Sequence, residues 1–123
     1  MMDALEEACR GLTFISETDA ELLPFHHAFG RGANLKLAGQ TARAPVEEPD
    51  FEEFFARLTI EKDWFGDEEK QRAERFARLR GVLREHLRDL RILRSGRIHI
   101  DILIAGIDQS GHLAGVRTWA VET

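Results

Sequence analysis

The stretch from Arg97 to Thr123 constrains the fold more than any other part of this 123-residue chain. Isoleucine occupies every second position at its start, at Ile98, Ile100, Ile102 and Ile104. This period of two predicts a strand with one buried face. The turn-forming sequence D-Q-S-G follows at 108–111, and a second extended run covers 113–121. The stretch therefore predicts a long antiparallel hairpin, with Glu122 and Thr123 as a short tail of carboxylate and hydroxyl groups. The pattern alone favours disorder of this tail, since most chain termini fray.

Two short helices are expected in the first half of the chain, each from a start signal and an apolar stripe. Asp3 and Glu6 fit a capping box, and Cys9 lies on the apolar side of the helix that would follow. Asp50 and Glu53 fit a second capping box. The apolar stripe after it is interpreted as core packing and consists of Phe51, Phe54, Phe55 and Leu58.

The longest helix is predicted over residues 67–94. Apolar residues recur at helical spacing through this segment, with acidic residues in the first turn and arginines in the last, as the helix dipole favours. The arginines are interpreted as a solvated face, because no aromatic residue is interleaved with them for stacking on bases. Gly81, in the middle of the segment, is interpreted as a point of close packing on the sheet.

The remaining segments are predicted to be strands and loops. Residues 24–29 are expected to form a strand that pairs with 35–37 across a glycine-rich turn, and residues 39–49 to form a loop. Strands and helices do not alternate, so a parallel sheet is not indicated. The fold class is therefore α+β, an antiparallel sheet of about four strands packed with helices, in one domain covering 1–123.

Composition limits the classes of function. Residues 1–63 contain 13 acidic and 6 basic side chains, and the whole chain has a net charge of −5, which argues against nucleic acid and for a basic partner. A single cysteine, no long apolar run and no signal-peptide pattern give a cytoplasmic protein with no membrane contact as the expectation. No phosphate loop, zinc-type spacing or nucleophile elbow is present, so an enzyme is not expected.

A few residues remain as candidates for binding. Glu17 lies in a polar, turn-favouring cluster and is expected on a loop. Trp64 and Phe65 stand between two predicted helices. Each taken alone is interpreted as a core residue, but two adjacent aromatics favour one that faces the core and one that faces the solvent, where tryptophan is a frequent interface anchor. His26 and His27 are adjacent on a predicted strand and would point to opposite faces, so they are not expected to bind one ion. No metal or cofactor of the protein's own is expected.

Several segments together resemble the nuclease A inhibitor family, small inhibitors of a sugar-non-specific endonuclease. They are F-I-S-E-T-D (14–19), P-F (24–25), F-F-A-R-L-T (54–59), D-W-F-G-D-E-E (63–69), D-I-L-I-A-G (101–106) and G-H-L-A-G-V-R-T-W-A-V-E-T (111–123). The resemblance follows the chain in order and is strongest from residue 63 onward. It is poor over residues 26–46, where this chain is shorter and richer in glycine.

The resemblance implies an α/β sandwich that blocks the active site of a nuclease and is monomeric when free. It implies that Glu17 and Thr123 reach the metal region of the nuclease and that Asp63 and Trp64 add contacts, with Glu122 beside the terminal threonine. Two alternatives stay open at this point. One is a diverged family member that binds another basic protein, and the other is a small hydrolase or metal protein built on His26, His27 or His99.

Overall fold

The structure, a computed structural model, describes residues 1–27 and 46–122. Within them the helices are α1 (Met2–Cys9), α2 (Phe51–Thr59) and α3 (Asp67–His86). The strands are β1 (Thr13–Ile15), β2 (Asp19–Glu21), β3 (Leu23–His27), β4 (Val46–Glu47), β5 (Arg88–Gly96), β6 (His99–Ile107) and β7 (Leu113–Val121). The predicted α+β class is confirmed.

The predicted hairpin is confirmed as the centre of the main sheet. Strands β6 and β7 pair antiparallel from His99 opposite Val121 to Ile107 opposite Leu113. The sheet order is β3-β7-β6-β5-β4, with every neighbouring pair antiparallel, and β1 and β2 form a separate two-stranded sheet. The main sheet has five strands against the predicted four or so, with β5 in a segment predicted to be helical and β4, of two residues, at one edge.

The sheet has buried residues on both of its faces. The three helices pack on one face, and the core between them and the sheet includes Leu5, Phe55, Phe76, Leu79, Leu83, Ile92, Ile102, Ile104 and Val116. A smaller cluster on the opposite face contains Leu93, Leu103, Ala105 and Leu113, with Phe25 packed against it. The prediction of one buried face for β6 was therefore incomplete, since its second half is buried on both sides.

The two predicted capping boxes have different outcomes. Asp50 caps α2, where its Oδ2 accepts a hydrogen bond from the backbone N–H of Glu53 at 3.1 Å. The box at the first helix is wrong, because α1 begins at Met2 and its N-cap, Met1, makes no side-chain cap bond. Asp3 instead lies in the first turn, where its charge is favourable toward the helix dipole.

The predicted end of the long helix is also wrong. Helix α3 stops at His86, and residues 88–96 form β5 instead of a last helical turn rich in arginine. A register shift between Arg88 and Arg91, with Asp89 at a φ of 53°, starts the strand with a bulge. Ile92 and Leu93 are then buried on opposite faces of the sheet. That burial stabilises the strand over a continued helix, which would expose part of this apolar surface.

Three smaller predictions are corrected and one cannot be assessed. Ile98 lies outside β6 and is 61% exposed. Gly81 is exposed, and a Cβ there would meet no described atom within 4 Å, so it does not mark close packing. Part of the predicted 39–49 loop is β4. Strand β3 pairs with β7, and its predicted partner at 35–37 lies outside the described residues.

Candidate functional site

The bend around Glu17 is hydrogen-bonded to the end of β7. Ser16 and Thr18 close the bend between β1 and β2 through a backbone hydrogen bond of 2.9 Å. The Ser16 Oγ accepts a hydrogen bond from the backbone N–H of Val121 at 3.0 Å, and the N–H of Glu17 donates to the Val121 carbonyl at 3.3 Å. Glu17 is exposed and on a loop, as predicted. The bend and the tail therefore lie side by side.

The tail is fixed as far as Glu122. The Glu122 backbone N–H donates to the carbonyl of Ile98 at 2.9 Å. Its carboxylate accepts two hydrogen bonds from the Arg94 guanidinium, at 2.7 and 2.8 Å. These contacts on the backbone and the side chain oppose the fraying that is common at chain termini. Thr123, the other predicted tail residue, lies outside the described residues.

Trp64 is the most exposed large apolar side chain among the described residues, at 72%. It lies in a turn closed by a 2.9 Å hydrogen bond from the Phe65 N–H to the Lys62 carbonyl. The half-buried Phe65 ring contacts the indole edge-to-face at a centroid distance of 4.7 Å. The Lys62 ammonium lies 5.5 Å from the indole centre. One aromatic therefore faces solvent and its neighbour packs inward, as predicted, with Asp63 exposed in the same turn.

A shallow groove runs from the Trp64 turn to Ile15 at the end of β1. Trp64, Ile60 and Ile15 all line it, and all three are exposed apolar residues. Ile15 is only two positions before Glu17. We use the name tail surface for the exposed side chains of this groove together with those of the neighbouring bend, turn and tail: Ile15, Glu17, Ile60, Asp63, Trp64 and Glu122. The groove itself is also lined by Arg57 and Arg72. Exposed aromatic and arginine side chains are enriched at protein interfaces.

A comparison with family models assigns the chain. The family described as nuclease A inhibitor-like protein matches residues 1–123. The chain belongs to the nuclease A inhibitor-like family. Membership suggests a nuclease inhibitor with a protein partner and no catalytic activity of its own. None of the curated proteins compared with the chain matches it.

In this member of the nuclease A inhibitor-like family, Cys9 is a core residue. Its side chain is buried among the helices. Burial raises the pKa of the thiol to about 11, against a smaller lowering by the Arg75 guanidinium. A thiol with that pKa is almost entirely protonated at neutral pH and is a poor nucleophile.

No helix in residues 1–27 and 46–122 is long and apolar enough to cross a membrane.

Sequence reasoning missed several residues that shape the tail surface. Arg94 was placed in a helix, so its pairing with Glu122 was not foreseen. Ser16 fixes the bend through its hydroxyl, and its place in the turn-favouring S-E-T run was the available signal. Ile15 and Ile60 gave no signal, because isolated apolar residues at the ends of elements are common on protein surfaces.

The arginine face of α3 contacts other parts of the same molecule. Arg78 forms an ion pair with Glu7 of α1 at 2.8 Å, and Arg84 pairs with Glu52 of α2. The Arg75 guanidinium donates to the backbone carbonyls of Ala8 and Arg10 at the end of α1. These contacts favour the interpretation of a solvated, internally paired face over a nucleic-acid surface.

Proposed function

We propose that this protein inhibits a sugar-non-specific, metal-dependent endonuclease by occluding its active site with the tail surface. Oxygen atoms of Glu17 and Thr123 approach the metal of the target nuclease in place of substrate oxygens. Trp64 and Asp63 contact the nuclease beside that point, and Glu122 sets the direction of the tail. The protein itself needs neither a metal nor a cofactor for this role.

The observation that carries the proposal is the pair of bonds between the Glu17 bend and Val121. They join two chain segments that are 105 positions apart at Ser16 and Val121. The bonds hold the Glu17 bend beside Val121, two positions before Thr123 in the sequence, before any partner binds. Preorganisation of this kind reduces the ordering entropy that association would otherwise cost.

The chemistry of such a target suits this surface. A nuclease holds a divalent cation that accepts carboxylate and hydroxyl oxygens, and it holds basic groups that attract phosphate. An inhibitor with a net charge of −5, and with 13 acidic side chains in residues 1–63, is attracted to such a basic site. Trp64 then supplies an apolar anchor that loses its hydration on binding.

The test is a titration of the purified protein into metal-dependent, sugar-non-specific endonucleases, with DNA cleavage as the readout. We expect stoichiometric inhibition of a cognate nuclease. Deletion of Thr123 should abolish it or weaken it at least tenfold. Thr123→Val, which keeps the shape and removes the hydroxyl, should weaken it, whereas Thr123→Ser should retain it.

The outcomes separate the function from the mechanism. Unchanged inhibition after deletion of Thr123 would show that the tail takes no part in the mechanism, while the protein would still be a nuclease inhibitor. Failure to inhibit any cognate or related nuclease would remove the function. In that case the alternative is a diverged member that binds another basic protein, for which the poor match over residues 26–46 is the motive. A pull-down from the source organism that returned such a protein and no nuclease would support it.

A further inference from the structure

Three metal-ligating side chains meet at the opposite end of the β6–β7 hairpin from the tail surface. His26, Asp108 and His112 each place one ligand atom so that all three atoms lie within 4.8 Å of one another. His26 comes from β3, and the other two residues flank the turn between β6 and β7. Pairing of β3 with β7, with His26 opposite Ala114, brings them together.

The Asp108 carboxylate is held in one orientation by the turn. Its Oδ1 accepts hydrogen bonds from the backbone N–H groups of Ser110 and His112, both at 2.9 Å. Its Oδ2 lies 2.9 Å from the Nε2 of His26. Only 9% of the residue is exposed. The Oδ1 therefore accepts the hydrogen bonds of the turn, and the Oδ2 is directed at the imidazole of His26.

Burial would raise the pKa of Asp108, but the backbone N–H of His112 and the imidazole of His26 hydrogen-bond to it and lower that pKa overall. The His26 and His112 rings are 5.2 Å apart between centroids and tilted by 48°, so they do not stack in parallel.

We propose that His26, Asp108 and His112 form a binding site for a divalent transition metal ion, with Zn²⁺ as the preferred occupant. Two imidazoles and one carboxylate are a ligand set that suits Zn²⁺ and neighbouring transition metals and does not suit Mg²⁺ or Ca²⁺. Ligand atoms around tetrahedral Zn²⁺ lie about 3.3 Å apart, by the usual Zn–N and Zn–O lengths. The 2.9 Å between the His26 Nε2 and the Asp108 Oδ2 is close to this value, and all three ligand atoms lie within 4.8 Å of one another. The His26 side chain is 35% exposed, so an ion can approach it from solvent.

Metal at this position would fasten one edge of the sheet. It would join β3 to the turn between β6 and β7, in addition to their backbone pairing. The Ser110 and His112 amides that orient Asp108 would act as outer partners of the ligand. Binding would therefore stabilise the folded state and raise the melting temperature.

The test titrates Zn²⁺ alone into the intact protein and measures binding by calorimetry. A parallel titration with Co²⁺ measures visible absorption, which reports the ligands of the bound ion. We expect one equivalent of metal to bind and Co²⁺ to show the visible absorption of a low-symmetry, nitrogen- and oxygen-ligated site. His26→Gln and His112→Gln should each reduce the affinity at least tenfold and remove the rise in melting temperature. Asp108→Asn should do the same while its amide oxygen still accepts the turn hydrogen bonds.

The matched control is His99→Gln. His99 and Asp101 form a similar pair at 3.2 Å, but among the described residues no third ligand joins them. This variant should bind metal like the unmodified protein. Absence of a bound equivalent, or equal loss in His99→Gln and His112→Gln, would overturn the site, as would full affinity in either His26→Gln or His112→Gln.

A second measurement avoids any doubt about folding of the variants. In nitrogen-15 spectra of the histidine side chains of the unmodified protein, Zn²⁺ should shift the ring resonances of His26 and His112. Those of His86 and His99 should stay in place. Shifts confined to His86 or His99 would contradict the proposal.

Discussion

The two ends of the β6–β7 hairpin are built in different ways. At the turn end, the polar atoms of Asp108 are directed inward and bonded to the turn and to His26. At the tail end, the backbone is firmly paired, and large side chains such as Trp64 and Ile98 face the solvent. The eight steps of β7 between the ends, at about 3.3 Å each, separate them by roughly 26 Å.

This difference indicates a division of roles. A cluster that satisfies its own polar groups stabilises the molecule or binds a small ion, and it offers little to a protein partner. A surface with a firmly paired backbone and an exposed tryptophan beside other apolar side chains has the aromatic enrichment of a recognition site. The hairpin that dominates the core thus also holds the two regions apart.

Among single substitutions, the largest expected effect on binding comes from Trp64→Ala at the tail end. Loss of an exposed aromatic anchor typically costs about 2–4 kcal/mol of binding free energy, or roughly 30- to 1,000-fold in inhibition. The side chain is 72% exposed, so the free energy of unfolding should change little. Inhibition titrations and urea unfolding measure the two effects.

Leu23→Ala is the matched control for Trp64→Ala. Leu23 is also an exposed apolar residue, at 49%, and it lies two positions before Phe25 in β3, on the face away from the helices. Inhibition should be unaffected by this change. Equal losses from both substitutions would break the contrast between the tail surface and the rest of the molecule.

The glycines in the turns at the two ends should differ in their contribution to stability. Gly96 has a φ of 126°, and a Cβ would lie 2.1 Å from the His99 carbonyl oxygen, so Gly96→Ala should lower the free energy of unfolding by about 2–4 kcal/mol. Gly111 has a φ of 83° with no described atom within 4 Å of a Cβ, so Gly111→Ala should cost about 1 kcal/mol. Urea unfolding measures both values, and the opposite ranking would contradict the geometry at the tail end.

The smallest expected effect concerns the ion pair that orients the tail. Arg94→Gln should lower the free energy of unfolding by up to about 1 kcal/mol, because the pair with Glu122 is partly exposed. It should weaken inhibition a few-fold by releasing the tail, and Glu122→Gln should do the same. Unchanged inhibition in Arg94→Gln would show that the pair does not position the tail.

The sequence allowed the hairpin to be predicted, and it indicated that one of Trp64 and Phe65 would be exposed without showing which, because both inferences rest on local patterns. The alternation of isoleucines continues for several residues. Two adjacent aromatic side chains in a short loop between two helices cannot easily both reach the core. The change from helix to strand after His86 could not be predicted, because Leu87 and Leu90 continue the helical spacing and no glycine or proline interrupts it. There, pairing with β6 decides the structure.

Long-range pairing also explains what was missed in the two candidate sites. The histidines were weighed as adjacent residues, whereas His26 meets Asp108 and His112 only because β3 lies beside β7. The contact between Ser16 and Val121 likewise spans almost the whole chain. Local spacing contains no information about such contacts, although it identified Glu17 correctly as a loop residue.

Amide hydrogen exchange of the free protein and of its complex with a cognate nuclease tests the central claim most directly. The account predicts slower exchange on binding at residues 15–17, 60–65 and 119–122, with no change at 108–112. Protection concentrated at 108–112, with the tail surface unchanged, would contradict it.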